Sequence, residues 1–214
     1  IKIYSKKLVK KYSKAILNFI KLIKNIKNPK ILYISSGAVN GKLNNKKNYS
    51  NYSVLKKFSE SEILKLANLG LKVSIARCYS FIGRWLPLNQ HYAIGNFIFD
   101  GLMRKYINIK SSSKVYRSYM FSDDLVIWLT KILINSNINC PTYNVGSDEK
   151  IEIKKLAKII ANLFDKPIKQ KKINRLKKID TYVPDISKTK KKLNLKITYN
   201  LKDAILSTIR RINE

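Results

Sequence analysis

The sequence predicts an α/β protein built on a parallel sheet with flanking helices, and three observations carry that prediction. The apolar run 31–34 shows no polar alternation, the pattern of a parallel strand covered on both faces, and 71–79 reads as a second strand of the same buried type. Apolar residues recurring at three and four positions precede each run, giving the order helix, strand, helix, strand that right-handed crossovers require. Beyond Gly83 the pattern is less regular, with short strands and helices intermixed.

Leu8, Tyr12, Ala15, Ile16, Phe19, Ile20 and Ile23 mark an amphipathic helix over 8–26, ended by Asn28 and Pro29. The strand 31–34 follows, and 35–41 turns out of it. Polar residues over 42–51 read as a loop. A helix is expected over 53–69 with Gly70 at its C-terminal cap, then the second strand. Trp85, Pro87 and Leu88 suggest a loop, followed by a helix over 92–106 carrying Ile94, Phe97, Ile98 and Leu102. Strands are expected over 107–109 and 115–121. Ser122, Asp123 and Asp124 suit a helix start, since a hydroxyl caps free N–H groups and acidic side chains match the positive dipole end. The helix over 125–134 is nearly all apolar and is expected to be buried. Residues 142–145 form a further strand closing at Gly146, Ile153, Leu156, Ala157, Ile160 and Leu163 mark an amphipathic helix, and 203–212 forms the last one. No internal repeat is present.

At 214 residues and 45% hydrophobic, the chain can bury a substantial core. No run reaches the roughly 18 uncharged apolar residues of a membrane span and no signal peptide is recognisable, so a cytoplasmic, non-membrane protein is expected. Cys78 and Cys140 lie in no metal-like spacing, and neither a disulfide nor a metal site is expected. The net charge of +31 would ordinarily suggest nucleic acid, but only seven of 44 basic residues are Arg, the better partner for phosphate and guanine. The lysines are spread along the chain among abundant Asn and Ile, as AT-rich codon usage produces. Runs 169–172 and 188–192 read as solvated faces, and a nucleic-acid partner is not expected.

The residues that could carry chemistry cluster after the first strand. Ser36 ends that strand, and Tyr52 and Lys56 follow one helical turn apart on one face. A phenol is a poor base at neutral pH, but a nearby ammonium favours its ionised form, and a serine hydroxyl can orient a substrate oxygen. Among 13 Tyr and many Lys a Tyr-x-x-x-Lys arises readily by chance. Its position, after a buried strand ending in Ser-Ser-Gly and on a helix feeding a second strand, gives it weight. No G-x-G-x-x-G or similar glycine cluster is present.

The segments ILYISSGAVNG, YSVLKK, IARCYSFIG, VYRSYMFSDDL and YNVGS, in that order, resemble the extended short-chain dehydrogenase/reductase family, specifically its NAD-dependent nucleotide-sugar epimerases and dehydratases. The resemblance implies a partial Rossmann-like sheet over 1–84 and a smaller mixed α/β substrate-binding lobe over 85–214, with 113–146 returning to the sheet. It implies NAD as cofactor, with an incomplete site, since the first strand, the Gly-rich pyrophosphate turn and the acidic ribose ligand have no counterpart. It makes Ser36 the group that hydrogen-bonds the sugar hydroxyl, Tyr52 the proton-transferring residue and Lys56 the residue that contacts the nicotinamide ribose. Arg117 falls where an arginine meets the substrate diphosphate, with a surface salt bridge as the other reading, and Asn96 lies where the nucleotide end would pass, with a plain helix-surface role as the other. His91 reads as a loop residue. Departures from the family pattern are Asn40, Ser80, Arg84, Thr181 and a short loop over 41–52. A homodimer through the helix over 53–69 is implied as possible. Because the chain opens on Ile1 rather than Met, a fragment or an unusual start codon is expected. A catalytically inactive remnant or subunit that binds a nucleotide sugar or a partner chain is the alternative.

Overall fold

The computed structural model describes residues 5–40, 51–90, 92–170 and 179–213. Of the loop expected over 42–51, residues 42–50 lie outside the described residues, as does His91, and Asn51 is helical rather than loop. In chain order come α1 (Lys6–Ile23), β1 (Lys30–Ser36), a 3-10 turn (Gly37–Asn40), α2 (Asn51–Asn68), β2 (Lys72–Cys78) and β3 (Phe81–Ile82). Then follow α3 (Ala93–Met103), β4 (Ile107–Ile109), β5 (Val115–Arg117), β6 (Met120–Phe121), α4 (Ser122–Ile134) and β7 (Thr142–Val145). The chain finishes with β8 (Ile151–Glu152), α5 (Ile153–Leu163), β9 (Ile168–Gln170), β10 (Asp180–Tyr182), α6 (Ser187–Leu193) and α7 (Leu201–Asn213). No helix among the described residues is long and apolar enough to cross a membrane.

Two compact units result. The first comprises Ile1–Tyr79, Val126–Val145 and Ile186–Leu195. Its sheet is parallel in the order β1-β2-β7, with Ser36 opposite Cys78 and Cys78 opposite Val145. Ile31, Ile63, Leu66, Val73, Ile75 and Cys140 form the core between sheet and helices. Each large apolar side chain removed from water there contributes about 1.5–3 kcal/mol. The run 31–34 is not covered on both faces as expected: Ile34 is 42% exposed and Leu32 and Tyr33 are only half-buried. Among the described residues β1 is an edge strand, whereas β2, with Val73, Ser74, Ile75 and Ala76 all buried, is the central one. An apolar run records tolerance of burial, not the number of neighbouring strands. The start of α1 is fixed by the Ser5 hydroxyl, which accepts from the Leu8 N–H at 3.2 Å. The helix ends at Ile23, one turn before the expected Ile26. At the end of α2, Gly70 adopts φ +82°, and Gly70 N–H and Leu71 N–H bond back to Ala67 and Leu66 carbonyls. This left-handed cap, which side chains disfavour, turns the chain straight into β2.

The second unit comprises Ser80–Leu125, Gly146–Asp185 and Lys196–Glu214. Small sheets β10-β5-β8, β3-β6 and β4-β9 surround a core that includes Ile94, Ile98, Ile107, Phe121, Leu156 and Ile205. The single strand expected over 115–121 is two: β5 pairs with β8 and β10, and β6 pairs with β3. Ser118, Tyr119, Met120 and Phe121 are all buried, so the break lies inside a stretch without exposed residues and leaves no polar signal. The expectation for α4 is corrected twice. Its apolar run is not buried all round, since Trp128 and Ile132 are fully buried but Val126, Ile127 and Ile134 are more than half exposed. Ser122 is its first helical residue, and its hydroxyl donates to Asp123 Oδ1 at 3.3 Å. Asp124 is buried and accepts from Thr198 Oγ1 and from the Thr198 and Tyr199 N–H groups. Arg211 donates to both Asp123 oxygens at 2.8 Å and holds that carboxyl below the usual carboxylate range. The acidic pair thus ties α7 to the start of α4.

Candidate active site and binding pocket

Tyr52 and Lys56, on the first turns of α2, line one cavity of about 280 Å³ in the first unit. Its other walls include Tyr12 of α1 and Tyr33 of β1. Lys56 Nζ donates to the Ile34 carbonyl at 2.9 Å and lies 5.1 Å from the Tyr33 ring centroid and 5.9 Å from that of Tyr52. Aromatic faces carry negative potential, so both rings favour a cation between them. Burial nevertheless lowers the pKa of the Lys56 ammonium, with Cys78 and Glu60 opposing that shift. Burial likewise raises the Tyr33 phenol, partly offset by its bond to Ser59. The Cys78 thiol is pushed up to about 12 by burial, with Lys56 opposing.

Ser36 does not line that cavity. It is buried at the C-terminal end of β1, its hydroxyl accepts from the Ala38 N–H at 3.2 Å, and it stands opposite Cys78 in the ladder. The structure therefore brings Tyr52 and Lys56 together directly and sets Ser36 next to the thiol whose titration Lys56 influences.

Sequence reasoning missed a polar network at this end of the sheet. The Glu60 carboxylate accepts from the Ser35 hydroxyl at 2.5 Å and from Arg77 Nε and Nη2 at 3.0 and 2.7 Å. Arg77 Nη1 donates to Asn40 Oδ1 at 3.0 Å, and Asn40 Nδ2 donates to the Tyr79 hydroxyl at 3.1 Å. The Glu60 bond raises the pKa of the Arg77 guanidinium. Gly37 lies against the Tyr79 ring, where a Cβ would come within 2.4 Å of ring carbon, so the 3-10 turn needs glycine there. Asn40, a departure from the family pattern, thus has a partner on either side. The missed signal was the stripe Tyr52, Lys56, Glu60 at i, i+4 and i+8 on one helical face.

Asn96 and Arg117 line a second cavity, of about 470 Å³, within the second unit. Ser80, Gln90, Lys110 and Tyr119 also face it, and no Asp or Glu is among the described residues that line it. The buried carboxamide oxygen of Asn96 takes no hydrogen bond from the described residues. Arg117 also carries the ion pair that was its other reading: Nη2 donates to Asp180 Oδ2 at 2.6 Å and Nη1 to the Tyr116 carbonyl at 2.8 Å. Burial raises the Tyr119 phenol, with Arg117 opposing. Among the departures, Thr181 is exposed on β10 opposite Tyr116, and Arg84 stacks its guanidinium 5.3 Å from the exposed Trp85 ring. Sequence reasoning did not find Lys110, Gln90 or Tyr119, because only the fold gathers them.

No family model matches the chain. Over 94 residues, 44% of this chain, it is 31% identical to UDP-glucuronic acid decarboxylase 1 of Danio rerio, and the match spans 22% of that protein. The dTDP-glucose 4,6-dehydratase of Bacillus anthracis, solved with NAD, superposes with a TM-score of 0.79 at 16% identity, over 99% of this chain and 71% of that one. The UDP-glucuronic acid 4-epimerase of Bacillus cereus, solved with UDP-glucuronic acid and NAD, gives 0.76 at 20% identity over 92% and 66%. The structural likeness shows that the chain shares the fold of these two enzymes, and the decarboxylase match is a sequence similarity confined to less than half of this chain and about a fifth of that protein.

Proposed function

We propose that this chain serves an NAD-dependent epimerase or dehydratase that acts on a nucleotide-activated sugar by transient oxidation. The observation that carries the reading is the shared cavity of Tyr52 and Lys56, with the ammonium 5.9 Å from the phenol ring centroid. A phenol beside a fixed cation is equipped to take a proton from a sugar hydroxyl and return it. In this reading Tyr52 moves the proton, Ser36 orients the sugar oxygen, and Lys56 supports Tyr52 with its charge.

The residues present fit the nicotinamide end of NAD. Lys56 carries three N–H donors, one of which serves the Ile34 carbonyl, and the others can meet ribose hydroxyls. NAD, when bound, supplies the acceptor and donor of hydride. The 214 residues hold no Gly-rich turn to cradle its pyrophosphate, so the polypeptide on its own is expected to bind NAD weakly. The second cavity is read as a nucleoside-diphosphate site within the second unit. Lys110, Arg117 with its Asp180 partner, an unsatisfied carboxamide oxygen and neighbouring amide and hydroxyl groups suit a diphosphate joined to a base. The homodimer belongs to the same proposal: Val54 and Leu64 of α2 are about half exposed, and sedimentation reads the mass.

Titration calorimetry with UDP-glucuronic acid, dTDP-glucose and NAD separately tests the binding side, and NADH absorbance during a single turnover tests the chemistry. Sugar-nucleotide binding together with transient NADH is the expected result. Absence of both from a folded protein overturns the reading, and a sub-micromolar NAD dissociation constant for the 214-residue polypeptide overturns the weak-binding expectation.

A further inference from the structure

Glu60 is the third residue of the α2 stripe that begins with Tyr52 and Lys56, and its side chain is only 11% exposed. A carboxylate offers about four acceptor positions. Three are used here, by the Ser35 hydroxyl and two Arg77 N–H groups. Arg77 then reaches Asn40. Ser35 and Asn40 bracket the segment that contains Ser36 and the 3-10 turn, so one carboxylate fastens both ends of that segment, directly through Ser35 and through Arg77 to Asn40. Successive strand residues point to opposite faces, so Glu60 holds the backbone at Ser35 and leaves the neighbouring Ser36 hydroxyl to its own face.

We propose that Glu60 is a positioning residue that fastens the end of β1 to α2 and thereby fixes the place of Ser36 relative to Tyr52 and Lys56. The inference rests on the proton-transfer reading above and extends it to a residue that touches neither substrate nor cofactor. An ion pair serving stability alone needs only Arg77. The bonds to Ser35 and, through Arg77, to Asn40 are what connect Glu60 to Ser36. The charge matters, because a carboxamide in its place has one acceptor oxygen for three donors and turns N–H groups toward Arg77.

The test compares Glu60→Gln, Ser35→Ala and Tyr52→Phe in the whole chain, below the melting temperature of each variant. Ser35→Ala is the milder change, since it leaves the Glu60–Arg77 pair intact. Amide hydrogen exchange is read over 37–40, with 153–163 of α5 as internal reference, alongside kcat and KM for the sugar nucleotide. For Glu60→Gln and Ser35→Ala, exchange over 37–40 is expected to rise about tenfold while the reference stays unchanged. With NAD present, kcat is expected to fall about 10- to 100-fold in Glu60→Gln, with KM within about twofold. Unchanged exchange over 37–40 with a lowered melting temperature overturns the proposal, as does an unchanged kcat. Turnover at the parent rate in Tyr52→Phe overturns the proton-transfer reading instead, and leaves the exchange result to decide whether Glu60 fastens the segment.

Discussion

The two cavities are built on opposite principles. The smaller is walled by tyrosine rings around one lysine, and its two reactive groups sit four residues apart on a single helix. The larger mixes apolar walls with two cations, one of them paired with Asp180, and draws its described lining from residues scattered between Ser80 and Ile153. The first holds the pair proposed to handle a proton, and burial there lowers the Lys56 pKa and raises that of Tyr33. The second places the Arg117 guanidinium and the Lys110 ammonium beside the Asn96 carboxamide oxygen, an acceptor suited to an N–H donor. The comparison teaches that the pair proposed to move protons is spaced locally on one helix, whereas the lining of the cavity proposed for recognition is gathered by the fold.

The sharpest way to break that division is Tyr52→Phe. It is expected to reduce sugar oxidation about 10³- to 10⁴-fold, measured by NADH absorbance, because the acid–base group is removed. Nucleoside diphosphate affinity, read by calorimetry, is expected to stay within about twofold, since Tyr52 lines only the smaller cavity. A parallel loss of binding would mean that the two cavities do not divide the labour.

Cys78 probes how strongly the end of β2, beside Lys56 but outside the smaller cavity, excludes charge. With its thiol pushed up to about 12, the thiolate is scarce. Alkylation at pH 8 is therefore expected to run about 10³-fold slower than for a free cysteine. Lys56 opposes the shift, so Lys56→Met should slow labelling further, and peptide mapping resolves Cys78 from Cys140. The sign for stability follows from the raised folded pKa. The contribution of this thiol is fully present below the unfolded value of about 8.5 and is lost as pH rises through the folded one.

Arg117→Ala sharpens the other side. Loss of a charged donor is expected to weaken nucleoside diphosphate binding about 10- to 100-fold, with kcat at saturation changed less than about twofold. Stability should change by less than about 1 kcal/mol, because the Asp180 partner is more than half exposed. Asn96→Leu is the smallest test. Its oxygen has no partner among the described residues, so the melting temperature should hold, while affinity for the nucleotide falls about fivefold.

Much of the framework was legible because period and capping are local. Residues 107–109 and 142–145 form β4 and β7 as expected, α5 carries the apolar stripe from Ile153 to Leu163, and Gly70 ends α2 in a left-handed turn. The short strands β3, β8, β9 and β10 were missed, since two or three residues hold no period and exist only through their partners. The exposure of Ile34 and the division of 115–121 were also hidden, because both depend on which strand lies alongside.

The same boundary runs through the candidate site. Spacing in the sequence determined that Tyr52 and Lys56 share a helical face and that Ser36 ends a strand, because helix and strand periods are properties of adjacent residues. Only the tertiary structure decided that Glu60 and Arg77 fasten Ser35 and Asn40, and that Asn96, Lys110 and Arg117 face one cavity. Ser35 and Arg77 are 42 positions apart in the chain and Asn96 and Lys110 are 14 apart, and contacts across such separations are set by strand order and helix packing, which no local pattern encodes.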